Sequence, residues 1–309
     1  MQAQPTITRP LASTSRLGDD AAGMLLGLIG VAMFSLTLPF TRMAVADLDP
    51  AFVALGRAVA AAICAAVWLR WNRTPWPPRS ALMPLACVAG GCIVGFPWLT
   101  SIAMRTVPAA HGAVLVGMLP LATAVWAALR GGERPSAGFW CMAMLGSALV
   151  AGFALRGSGG SLRPADLALL AAVLLAAMGY AEGGKLAQSL GGQQVICWAL
   201  VLAAPVLAPA VAWLAWHDPA RLAAAGARAW AGFAYVSLFS MFIGFFFWYR
   251  GMALGGVARV GQVQLVQPFL TMLGAALLLG ESLEWETMLF ALAVIVVVGA
   301  GRKMQVKRR

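Results

Sequence analysis

Charge is scarce in this chain. Lys, Arg, Asp and Glu make up 11% of its 309 residues, while 61% are hydrophobic. A soluble domain carries roughly a quarter charged residues, so this surface cannot be covered by water alone and lipid must cover most of it. The 5 cysteines (Cys64, Cys87, Cys92, Cys141, Cys197) all fall inside apolar runs without a CxxC spacing, and the 2 histidines, His111 and His217, are far apart. That excludes a zinc site and a disulfide framework. No GxxxxGK[ST] segment occurs, which excludes ATP binding through a P-loop, and no Arg-rich helix of the voltage-sensor kind is present. The net charge is +11, but the bases sit singly in short loops with no interleaved aromatics. Attraction to anionic lipid headgroups therefore explains them better than nucleic acid does.

What is abundant is long apolar sequence. Runs cover 21–45, 50–70, 81–104, 109–129, 136–155, 165–186, 194–216, 229–250, 258–279 and 286–301. Most reach the ~20 residues that cross a bilayer core as a helix. The connections are short and carry Gly, Pro or charge, as in Asn72-Arg73-Thr74-Pro75, Gly132-Glu133-Arg134-Pro135 and Ser158-Gly159-Gly160. Residues 1–20 read as a disordered cytoplasmic tail and 303–309 as a basic one. The first apolar run starts too late and is too long for a cleaved signal, so it is expected to be retained. With both termini cytoplasmic, fifteen Lys and Arg fall on the inner side and six on the outer, with Arg57 alone inside a span. That asymmetry predicts an N-in, C-in orientation.

The sequence repeats itself. Leu119-Pro120 and Gly132-Glu133 recur as Gln267-Pro268 and Gly280-Glu281 at an offset of 148. At the same offset Met104 matches Met252, Ala110 matches Ala258, Thr123 matches Thr271, and Ala127-Ala128-Leu129 matches Ala275-Ala276-Leu277. Five spans per half force the second half to insert upside down. Inverted repeats of this kind belong to transporters that bind substrate between the halves at the midplane. The expected fold is all-α and integral to the membrane: ten transmembrane helices as two inverted five-helix repeats, 21–155 and 165–302, around a central cavity.

An Ala-rich span with a central proline, followed by Gly-Glu and a last span, stands at 103–134 and again at 251–282. It resembles the EamA unit of the drug/metabolite transporter superfamily, as does Arg57-Ala58-Val59-Ala60 in the second span. Among its members the chain most resembles the YddG-type exporters of aromatic and other neutral amino acids. That resemblance implies a ten-helix basket working by alternating access in a bacterial inner membrane. The Arg of the second span has no partner in the seventh, so the repeat is weak over its first two helices.

Several residues are candidates for binding substrate. Pro120 and Pro268 occupy matching mid-span positions, where a proline kinks the helix and frees a carbonyl; Pro39 and Pro97 invite the same comparison. A static packing kink explains them equally well. Gln262, Gln264 and Gln267 stand in an otherwise apolar ninth span, so their amides must face protein or a water-filled cavity. They can hold an amino acid or simply bond between helices. Glu182 lies late in the sixth span with Lys185 one turn on; an i,i+3 ion pair is the plain reading and an ammonium- or proton-binding carboxylate the sharper one. His111 is expected at a helix end. Trp98, Trp126, Tyr180, Trp248 and Tyr249, with Met33 and Met118, can line an apolar cavity or merely pack. A phosphorylated substrate would need several bases at the midplane, and only Arg57 is there.

The expected activity is secondary transport exporting amino acids, with exporters of amphipathic drugs or other metabolites as the alternative. A lipid-modifying membrane enzyme would need a nucleophile–base pair or a metal cluster, and the sequence offers neither. No cofactor is called for. The expected partners are small-molecule substrate and membrane lipid, and the expected unit is a monomer.

Overall fold

The computed structural model describes residues 14–131, 134–157, 163–256, 260–303 and 306–307. Eight helices are long and apolar enough to cross a membrane: α1 Ala21–Asp47, α2 Pro50–Trp71, α3 Arg79–Ala103, α4 Ala109–Arg130, α5 Ala137–Arg156, α6 Pro164–Leu190, α7 Gly192–His217 and α8 Ala227–Gly255. Two shorter apolar helices follow, α9 Val263–Leu279 and α10 Trp285–Gly301. Apart from a short helix Pro219–Ala224 and a two-residue antiparallel pairing of Arg134–Pro135 with Val306–Lys307, the described chain is these helices and their turns. Helix is already present from Thr14, so the expected disordered tail of 1–20 is helical over its last residues; residues 1–13 lie outside the described part. The same holds for Gly132-Glu133, Ser158-Gly159-Gly160 and the matched Ala258.

Asp49 shows why one span starts where it does. Its carboxylate accepts from the backbone N–H of Ala51 (2.8 Å) and Phe52 (3.2 Å), and Pro50 takes the first helical position. An acceptor satisfying the free first-turn donors and a proline with none to offer together fix an N-terminus. Outward faces carry Leu25, Ile63, Met83, Leu174, Val206 and Leu277, all exposed. Trp71, Trp76, Trp213, Trp216 and Trp285 are also exposed and cluster at helix ends, where indole rings suit the headgroup boundary.

The helices pack in mirrored pairs. α1 lies against α8 and α3 against α6, while α2 meets α7, α4 meets α9 and α5 meets α10. Glycine allows close approaches at two of these crossings. A Cβ on Gly251 would stand 2.8 Å from the backbone N of Gly27 on α1. One on Gly179 of α6 would collide with the Cys92 sulfur of α3, and one on Gly91 with the Leu175 carbonyl. In lipid no hydrophobic force drives helices together, so this backbone-to-backbone dispersion is what holds them. Pairs also run antiparallel: Gly23 meets Gly255 while Gly30 meets Gly244 and Trp248, and the start of α4 at Ala109 is bound by Glu281 just beyond α9.

The offset of 148 reappears in the backbone. The helical segment Leu119–Gly131 has its counterpart in Gln267–Leu279. The wider π-helical turns at Ala89–Gly95 in α3 fall opposite those at Val236–Ile243 in α8. A π turn inserts one extra residue and turns the helix face that follows. Both insertions lie beside the centre of the molecule.

Candidate functional site

The centre holds a small cavity, with about 20 Å3 open to a water-sized sphere, enough for about one water. α1 contributes Phe34 and Thr37, α2 Arg57, α3 Cys92 and Phe96, and α4 Leu119. The second half contributes Ala176 and Tyr180 from α6, Ser240 and Phe245 from α8, and Gln267 from α9. Three of the eleven lining positions are phenylalanines and one a tyrosine, so aromatic rings form about a third of the wall.

Arg57 sets the chemistry. It is 2% exposed. One Nη donates to the Ser240 hydroxyl at 3.2 Å, and that hydroxyl lies 2.8 Å from the Thr37 hydroxyl. Its Nε and other Nη are buried without a hydrogen-bond partner. No acid is among the described residues that line the cavity. A buried guanidinium that uses one of its donor groups is costly, and among the described residues it is the one side chain with two buried unpartnered polar atoms.

At one end of the molecule a wider vestibule of about 520 Å3 opens among Arg42, Asp47, Arg105, Arg228 and Glu281. Glu281 organises it. Its two carboxylate oxygens accept from the N–H groups of Ala109 and Ala110, both at 2.9 Å, and Arg42 Nε is 3.3 Å from it. Arg42 also donates to the Val107 carbonyl. A carboxylate at the N-terminus of α4 satisfies orphan donors and meets the positive end of the helix dipole. Nearby, His111 Nε2 is 2.6 Å from Asp166, and its ring stacks on Phe153.

The sequence-derived candidates divide by helix face. Tyr180 and Gln267 line the cavity. Pro120 and Pro268 each follow a lining residue; Pro268 packs instead towards Gly117 of α4. Met118 packs towards Gly146 of α5, and Pro39 towards Gly274 of α9. Trp98 does not reach the cavity: it is 38% exposed, because it lies two residues past Phe96, about 200° around the helix. Trp248 is buried in a cluster with Phe34 and Tyr180 behind the cavity wall. Gln264 is buried with its amide nitrogen unpartnered, one turn before Gln267; the Gln262 side chain lies outside the described residues. Tyr249 donates to the Gly179 carbonyl at 3.2 Å, which ties α8 to α6.

Glu182 corrects the expected i,i+3 pairing. Lys185 is exposed, and the Glu182 carboxylate instead accepts from Arg130 Nε (2.9 Å) and Trp126 Nε1 (3.3 Å) on α4. Two donors from a neighbouring helix outcompete one flexible lysine on the same helix. The residues missed as site members are Arg57, Thr37, Ser240 and the phenylalanines. Arg57 alone carried a legible signal, as an ionisable group inside a span.

Set beside known proteins, the sequence matches the EamA-like transporter family twice, over residues 21–154 and 163–300. It is 47% identical over 281 residues, 91% of this chain and 97% of the relative, to "Uncharacterized transporter YdeK" of Bacillus subtilis (strain 168). A solved structure, described only as a crystal structure of a protein, is similar with a TM-score of 0.60. The match covers 92% of this chain and 96% of the other at 17% identity, which speaks to the fold alone.

Proposed function

Because this chain belongs to the EamA-like transporter family and is therefore a multi-pass membrane transporter, we propose that it exports neutral amino acids, aromatic ones among them, across a bacterial inner membrane. The observation that carries this reading is the cavity on Arg57 shared by both halves, with four aromatic side chains and no acid among its described lining residues. A planar carboxylate suits a guanidinium, and an apolar side chain suits the phenylalanine wall. The alternative, an exporter of amphipathic drugs or other metabolites, uses the same wall without Arg57.

The mechanism we propose is alternating access by ten spans in two inverted units, 21–155 and 165–302, with both termini cytoplasmic. Three observations support the inversion: the offset of 148, the matched π turns, and the antiparallel packing of the related helices α4 and α9. The centre is nearly closed while the vestibule at the Glu281 end is open. In the proposed orientation that end faces outward, so the conformation is one from which solute has left. Opening the opposite end requires parting α4 from α6, where Arg130 and Trp126 hold Glu182.

The test is efflux of labelled amino acids from liposomes holding the purified protein. Saturable flux that unlabelled phenylalanine or leucine competes is the expected result. Dye efflux with no amino acid flux would replace this reading with the drug-exporter one.

A further inference from the structure

The proposed reading leaves open which part of a solute the cavity recognises. Three properties of Arg57 bear on it. The guanidinium is held at a fixed place, because Ser240 on α8 takes one nitrogen and Thr37 on α1 braces that serine. Its remaining donors, Nε–H and the second Nη, are buried without a partner among the described residues, on a side chain that lines the cavity. No carboxylate lines the same space. A guanidinium presents two edges that match a carboxylate, Nε with Nη2 and Nη1 with Nη2; Ser240 holds Nη2, so each idle donor is one half of such an edge. A single water there can accept one or two of these hydrogen bonds, but it leaves the positive charge uncompensated. A bound monoanion supplies both acceptors and charge.

The opposite charge has no such provision. A substrate ammonium entering this cavity finds hydroxyls, an amide and rings, and no acid. Glu182 lies outside the lining and is already engaged by Arg130 and Trp126. Three bases against two acids also rim the vestibule, with Arg42, Arg105 and Arg228 facing Asp47 and Glu281.

We infer that the site recognises the carboxylate of its substrate through Arg57 and makes no demand for an ammonium. Its substrate class is then organic monocarboxylates with an apolar or aromatic body, among which neutral amino acids are a subset. This rests on the transport reading only for what happens after binding; the binding claim stands alone. Ser240 is a positioning residue, since it touches Arg57 and holds one of its nitrogens in place.

Four probes sharing one ring separate the contributions: L-phenylalanine, 3-phenylpropanoate, 3-phenylpropanamide and 2-phenylethylamine. The measurement is the ligand-induced rise in unfolding temperature of the detergent-purified protein, which needs no transport. We expect L-phenylalanine and 3-phenylpropanoate to stabilise with affinities within about threefold of each other. The amide and the amine should bind at least ~10-fold more weakly, the size of one lost charge-assisted contact. Arg57→Gln should lose the response to 3-phenylpropanoate, and Ser240→Ala should weaken it about threefold.

The wild-type panel decides even if Arg57→Gln does not fold. Binding of the amine or amide equal to that of the acid overturns the inference, as does no response to 3-phenylpropanoate. Carboxylate binding without amino acid flux would leave this site standing and remove the export reading. Amino acid flux that 3-phenylpropanoate does not inhibit would do the reverse.

Discussion

The two halves share a frame but not a chemistry. Positions 92 and 240 are related by the offset of 148 and both line the cavity, one as cysteine and the other as serine. Positions 119 and 267 are related in the same way, one as leucine and the other as glutamine. Arg57 has no counterpart among Lys or Arg anywhere in α7. Glycine-lined crossings, π turns and the segments that follow the mid-span breaks are repeated, because they decide how helices approach. The polar groups that line the cavity are not repeated, as expected if one solute needs one set of contacts. The difference separates residues that build the frame from those that, in the proposed reading, choose what passes.

The harshest way to break that comparison is to attack the frame in either half. Gly251→Leu in the α1–α8 crossing and Gly179→Leu in the α3–α6 crossing each drive a side chain into facing atoms. Overpacking of this kind costs ~3 kcal/mol or more when backbone is the obstacle. Both variants should be lost from the folded fraction in size-exclusion profiles. Gly152→Ala, with nothing within 4 Å of the new Cβ, should behave as wild type. Tolerance at one crossing and collapse at the other would mean that the halves are not structural equivalents.

A smaller effect comes from making the chemistry symmetric. Gln267→Leu copies the first half's residue into the second. It keeps a similar volume in a buried place, so the fold should survive. Amino acid flux should fall about 10-fold with loss of a polar contact to substrate. Unchanged flux would remove Gln267 from the site.

The smallest effects compare the two ends of α4. Glu281 is bound by two backbone donors and Arg42, so Glu281→Ala should cost about 1–2 kcal/mol, as loss of a helix cap does. At the other end the Arg130 partner of Glu182 is 59% exposed, and surface pairs contribute little. Glu182→Ala should lower the unfolding temperature less than Glu281→Ala does. The reverse order would show that the Glu182 end is the firmer one.

How much of this was legible in the sequence follows from the solvent. Helix positions were, because a bilayer demands long apolar runs and ends them at charge or proline. The repeat was also, since Pro120 and Pro268 with their neighbours recur without a gap. Helix faces were not. In a soluble helix polarity marks the outside, but lipid and core are both apolar, so nothing in α3 distinguished outward Trp98 from inward Phe96. The π turns worsened this by turning faces mid-helix. Glu182 misled because a local lysine was visible in sequence, while Arg130 arrives from another helix. Arg57 was legible as an oddity, yet its role needed Ser240, 183 positions away, and the sight of two idle donors.

Opposite insertion of the two units is most directly tested by which side of the membrane their equivalent loops occupy. In a background without reactive cysteines, Asn72→Cys lies after α2 and Ala223→Cys after α7, and a membrane-impermeant maleimide is applied to intact cells. The account predicts labelling of the Ala223→Cys protein at once and of the Asn72→Cys protein only after permeabilisation. Labelling of both from the same side would contradict it.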